Sequence, residues 1–156
     1  MIDATKLNPS KINTFLLFKL PSAYFTGVRV KSISEITCIT TVKHGWINQN
    51  PFNSLFWAVQ GMAAELSTGA LVMYKIRESK RNISMLVLNN KATFSKKARG
   101  RILFSCNDGK ILNDAINKAI STGEGQTVWM QSEGKDEVGD VVSNFQFEWT
   151  LKLKQK

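Results

Sequence analysis

Residues 50–69, NPFNSLFWAVQGMAAELSTG, open the longest apolar run of the chain, and their reading decides the fold. Asn53 is placed to cap a helix whose first turn follows at Ser54, its side chain accepting from amides two or three residues on. Phe52 and Trp57 stand at the spacing of a hydrophobic staple. From about residue 54 to residue 76 the apolar residues fall on nearly every side of the helix, so it is expected to be enclosed. Roughly 23 residues at 1.5 Å each span some 35 Å. The run carries one carboxylate, Glu65, together with Gln60, Ser67, Thr68 and two glycines. A carboxylate at a bilayer centre is costly, so a helix buried in a protein core is expected, with no membrane span.

The segments around this helix are mostly strands. Upstream, Asn8 and Pro9 suit a helix start, and a helix over about 9–20 has Ile12, Phe15, Leu16 and Leu20 along one side, with Pro21 closing it. After Gly27 the residues become β-branched (Val28, Val30, Ile33, then Ile36, Ile39, Thr40, Thr41 and Val42), which reads as two strands turning near Ser34 and Glu35. Downstream, residues 83–88 are a strand that 92–94 can extend, and 101–106 are another. Asn107, Asp108 and Gly109 open a short amphipathic helix bearing Ile111, Leu112, Ala115, Ile116, Ala119 and Ile120, with Gly123 as its C-terminal cap. Residues 127–131 form a fifth strand. The clearest period comes last: Phe145, Phe147, Trp149, Leu151 and Leu153 alternate with polar residues, a long strand with one face buried. Short turns join these strands, which predicts an α+β fold with an antiparallel sheet curled around the long helix.

Length and composition limit the alternatives. At 156 residues and 43% hydrophobic, the chain is expected to form one domain over residues 1–156. The net charge of +9 suits an anionic partner without choosing one. Cys38 and Cys106 stand in no paired motif and read as inert thiols of a reduced, cytoplasmic chain. The N-terminal residues show no leader pattern. A single histidine, His44, excludes zinc sites built from several histidines, and no metal or cofactor is implied.

A sharply started helix leaves free amides near Leu55 to Trp57, at the positive end of its dipole, where a carbonyl can be polarised. Trp57, Gly61, Glu65, Thr68, Gly69 and Val72 share one helix face, and the two glycines admit a backbone or ligand. Burial would raise the Glu65 pKa, as a general base working near neutrality requires. A core hydrogen bond or a dimer contact explains Glu65 equally well. Lys96, Lys97, Arg99 and Arg101, with Lys91 nearby, cluster at one turn, as either a phosphate-binding mouth or a solvated hairpin tip. Lys75, Arg77, Lys80 and Arg81 complement the end of the helix dipole.

The pattern Asn50, Asn53, Phe56-Trp57-Ala58 and Glu65 resembles the central helix of hotdog-fold acyl-CoA thioesterases, of the phenylacetate-pathway type. That family's string is Asn, two residues, Gly, two residues, His-Gly-Gly, then an acid seven places on. Asn50 matches the Asn, and Glu65 lies seven residues after Ala58. Asn53 stands for the Gly, Phe56 for the His and Trp57-Ala58 for Gly-Gly, so the chain looks most like an uncharacterised branch of that superfamily, a domain of unknown function. The resemblance implies a homodimer, or a dimer of dimers, joined sheet edge to sheet edge, with active sites at the boundary. In that picture Asn50 and Glu65 are catalytic, Trp57, Ala58 and Asn53 form the oxyanion-binding helix start, and Lys96, Lys97, Arg99 and Arg101 hold coenzyme A phosphates. Three functions follow: an acyl-CoA thioesterase, a dimer that binds an acyl or aromatic ligand without turnover, and nucleic-acid binding. The last lacks interleaved basic and aromatic residues in a recognised motif, so no nucleic-acid partner is expected.

Overall fold

The computed structural model describes residues 8–154; the N-terminal residues read above for a leader lie outside them. Helix α1 (Pro9–Lys19) starts as its sequence requires, with the Asn8 side chain accepting from the Ser10 amide. Pro21 does not end the helical region but begins a second short helix, α2 (Pro21–Phe25), as proline suits a first turn. Burial in α1 falls on Leu16 with Ile12 beside it, whereas Phe15 and Leu20 are exposed. Strands β1 (Arg29–Ile33) and β2 (Cys38–Lys43) form a hairpin. A 3₁₀ turn (Trp46–Asn48) and an irregular turn lead into α3 (Trp57–Ser79). Strands β3 (Ile83–Phe94) and β4 (Arg101–Cys106), helix α4 (Gly109–Thr122), and strands β5 (Gln126–Lys135) and β6 (Val141–Leu153) complete the order.

The six strands make one sheet in the order β1-β2-β4-β5-β6-β3, antiparallel throughout. Its concave face carries Thr40, Val42, Ile102, Phe104, Met130, Phe145, Phe147, Trp149 and Leu151, all buried. These enclose α3, whose Val59, Ala63, Ala64, Leu66, Ala70, Leu71 and Val72 belong to the same core. The predicted alternation of the last strand is therefore the inner wall of a curved sheet wrapped on a helix. Strand β3 lies at one edge, continuous through a bulge at Leu88, and its second half is exposed.

Polar pairs fix the helix on the sheet. The Thr40 hydroxyl donates to the Ala63 carbonyl, Ser67 to Ser132, and the Trp149 indole to Thr68. Gly61 and Gly69 bring α3 close to β6: a Cβ on Gly61 would touch the Phe145 ring, and one on Gly69 would stand 3.2 Å from the Trp149 ring. The two glycines thus seat the protein's own aromatic residues rather than a ligand.

At the far end, Gly109 begins α4 beneath the β1–β2 turn, with its amide donating to the Ile36 carbonyl. A Cβ there would overlap the Cα of Ile36 and lie 2.6 Å from the Glu35 carbonyl oxygen. Gly109→Ala is expected to cost about 1–3 kcal/mol, because backbone rather than a flexible side chain must move. Thermal melting checks it, at about 2–4 °C per kcal/mol for a chain of this length. An unchanged melting temperature would show that the turn yields freely.

Candidate functional site

The start of α3 is built differently from its sequence reading. The helix begins at Trp57, three residues later than expected, and its N-cap, Phe56, makes no side-chain cap bond. Asn53 is not the cap. It sits in the left-handed region at φ 57°, which asparagine tolerates, and closes a turn by donating its amide to the Asn50 carbonyl. Asn50 organises that turn. Its Oδ1 accepts from the Phe52 and Ser54 amides and the Ser54 hydroxyl, and its Nδ2 donates to Ser54 Oγ. The proposed staple is absent: Phe52 and Trp57 are 69% and 59% exposed, and Trp57 packs edge-to-face on Phe56.

Long-range partners occupy part of the helix start. The Leu55 amide donates to the Ala98 carbonyl and the Phe56 amide to the Asn48 carbonyl, so neither is free. Asn48 is buried and also donates through Nδ2 to the carbonyls of Thr26 and Lys43, joining α2, β2 and α3. At this helix start the Trp57 and Ala58 amides lack an acceptor among the described residues. Trp57, but not Ala58, lines a cavity of about 550 Å³ walled by residues of the 50–60 segment and by residues 94–98. Its apolar lining includes Phe52, Leu55, Phe56, Trp57 and Phe94; Asn50, Ser54, Gln60, Lys96 and Lys97 are among its polar residues. Gln60 was not anticipated as a site residue: nothing in the local sequence separates it from a polar helix residue turned to solvent.

Glu65 does not line this cavity. Glu65 is half-buried, with Oε1 3.4 Å from the place of a Gly69 Cβ, a point that the Trp149 ring also approaches. It makes no ion pair among the described residues, and burial pushes its pKa above the ordinary carboxyl range. Eight residues separate it from Trp57, about 12 Å along the helix axis.

The basic cluster divides. Lys96 is clamped by Asp136 and Asp140, each 2.7 Å away; the hydrogen bond from Lys96 holds Asp136 below its ordinary pKa. Arg99 donates to the Asn53 carbonyl and Arg101 to the Thr41 hydroxyl. Lys97, over the Phe52 ring, has its ammonium unpaired among the described residues. Lys75 is buried and paired with Glu78 rather than serving as a free dipole partner. Cys38 and Cys106 face each other across β2 and β4, both buried, and desolvation pushes both thiols up to about 12. The His44 Nε2 is buried without a hydrogen-bond partner. Among the described residues no cluster of side chains has metal-ligand composition, and no helix is long and apolar enough to cross a membrane.

Residues 10–151 match the family described as Domain of unknown function (DUF4442). The chain belongs to the DUF4442 family. None of the curated proteins matches it. The fold of this DUF4442 protein is that of hotdog thioesterases, as solved structures show. A Pseudomonas aeruginosa protein, PA5026, described as of unknown function and a probable thioesterase, is 19% identical, with a TM-score of 0.80 over 94% of this chain and 97% of its own. A Chlorobaculum tepidum protein of unknown function is 17% identical at 0.79, covering 95% and 98%. The Haemophilus influenzae thioesterase HI1161 is 13% identical at 0.73, covering 100% and 98%. The long helix inside a curved antiparallel sheet, expected from the sequence, is thus the hotdog arrangement.

Proposed function

We propose that this DUF4442 protein is an acyl-CoA thioesterase acting as a homodimer. The observation that carries the reading is the cavity lined by Trp57 at the start of α3, where the amides of Trp57 and Ala58 lack an acceptor among the described residues. Two amides at a helix N-terminus, aided by its dipole, stabilise the oxyanion that forms when water adds to a thioester carbonyl. Glu65 takes the proton from that water, the carbon–sulfur bond breaks, and the thiol leaves protonated. Because Glu65 stands about 12 Å from its own helix start, the carboxylate serving each cavity comes from a second copy. The unpaired edge of β3, bearing the exposed Leu86 and Leu88, suits pairing with the same strand of that copy. Lys97 is the residue of the basic cluster best placed for a coenzyme A phosphate, with Arg99 behind it; Lys96 is already neutralised by two carboxylates.

The second reading is a dimer that binds acyl or aromatic ligands without turnover. Trp57 favours it, since a large indole stands where the thioesterase pattern has glycine and lines the cavity itself. Release of free thiol from acyl-CoA esters of short, medium and long chain separates the two, with sedimentation velocity run on the same sample. Turnover with one chain class by a dimer is the expected result. A folded dimer that binds these esters but hydrolyses none of them would leave the binding reading.

A further inference from the structure

Gln60 carries a buried, half-used amide in the wall of this cavity, beside the apolar side chains of Leu55, Phe56 and Trp57. It lies in the first turn of α3, is 4% exposed and lines the cavity. Its Oε1 accepts from the Ser143 hydroxyl at 2.8 Å, and its Nε2 donates to the Leu55 carbonyl at 3.3 Å. The Leu55 carbonyl can only accept, so the amide end facing it must be nitrogen, which settles the orientation of the side chain. One N–H is spent on a long bond, and the second has no acceptor among the described residues. The other buried polar side chain of the lining, Ser54, is closed by Asn50 on both its donor and its acceptor sides.

We infer that Gln60 is a specificity residue that selects acyl chains bearing an oxygen acceptor, a hydroxyl or oxo group, near the thioester; this rests on the thioester reading above. A plain alkyl chain filling the cavity would strip water from the spare N–H and leave it unpaired, whereas an oxygen substituent satisfies it. The position follows from the helix: Gln60 is three residues from Trp57, and side chains so spaced are about 5–6 Å apart at Cβ. With the thioester carbonyl at the Trp57 and Ala58 amides, the acceptor belongs a few bonds away, at the 3-position of the chain.

The test compares octanoyl-CoA with 3-hydroxyoctanoyl-CoA in both equilibrium binding and hydrolysis. The hydroxylated ester should be favoured by about tenfold. That preference should vanish in the double variant Gln60→Leu/Ser143→Ala, which removes both hydrogen-bond partners together so that Ser143 is not left unpaired. If melting shows the double variant unfolded, Gln60→Met with Ser143 intact takes its place. Equal handling of the two esters by the natural protein overturns the inference, as does a preference that survives the substitutions. Discriminating binding without hydrolysis keeps the role of Gln60 and overturns the thioesterase reading. Binding of neither ester overturns both.

Discussion

Glu65→Gln is expected to lower thioester turnover by about 10²–10⁴-fold, the usual contribution of a general base, while ligand binding persists. Gln keeps the shape of the side chain and loses the ability to take a proton. The setting of Glu65 gives a second, independent readout. It has no ionic partner among the described residues, and burial raises its pKa. A carboxyl raised in the folded state binds its proton more tightly there than in the unfolded chain. Its contribution is therefore fully present below the unfolded pKa and is lost as pH rises through the folded one. The neutral amide has no such loss. The melting temperature of Glu65→Gln minus that of the natural protein should thus grow as pH is raised from the acid side of the carboxyl range toward neutrality. Unchanged turnover in the variant would remove Glu65 from the chemistry; a pH-independent difference in melting would remove the buried carboxylate as a burden on stability.

Trp149→Ala is expected to be the most destabilising of the substitutions considered, at about 3–5 kcal/mol for a buried tryptophan. At about 2–4 °C per kcal/mol this is a fall of roughly 6–20 °C. Trp149 is buried on β6, with its Nε1 donating to Thr68 Oγ1 at 3.0 Å and its ring against Gly69, which has no side chain to fill the space left behind. Thr68 is not orphaned, since its hydroxyl still donates to the Glu65 carbonyl. The loss is therefore one of packing rather than of a hydrogen bond. Opening this space also lets water reach the neighbouring carboxylate. In the Trp149→Ala background the pH dependence attributed to Glu65 should accordingly shrink, measured as the same difference in melting on adding Glu65→Gln. If Trp149→Ala melts within a few degrees of the natural protein, the sheet closes onto α3 without it, and the account of the glycine face fails.

Features governed by local chemistry were legible from the chain. The alternation from Phe145 to Leu153 announced a half-buried strand, and β6 has that burial. Asn8 with Pro9 began α1, and Gly123, at φ 73°, ended α4. Glu65 stood out as one carboxylate in an apolar run, and its burial follows from the enclosure of α3. The misreadings lie where distant partners decide. Asn53 suits a cap, but the Ala98 and Asn48 carbonyls hold the Leu55 and Phe56 amides and the helix starts at Trp57. Lys96 looked like one of four free cations until the β5–β6 turn brought Asp136 and Asp140 to it.

The sequence by itself determined the long enclosed helix, the antiparallel strands around it and the position of Glu65 within the run, because burial periodicity and capping act over a few residues. Only the tertiary structure decided that Gly61 and Gly69 receive Phe145 and Trp149, that the cavity joins residues 50–60 to 94–98, and that Gln60 keeps an unspent donor there. Each of these depends on groups far apart in the chain meeting at van der Waals or hydrogen-bond distance, and the register of the sheet sets those meetings.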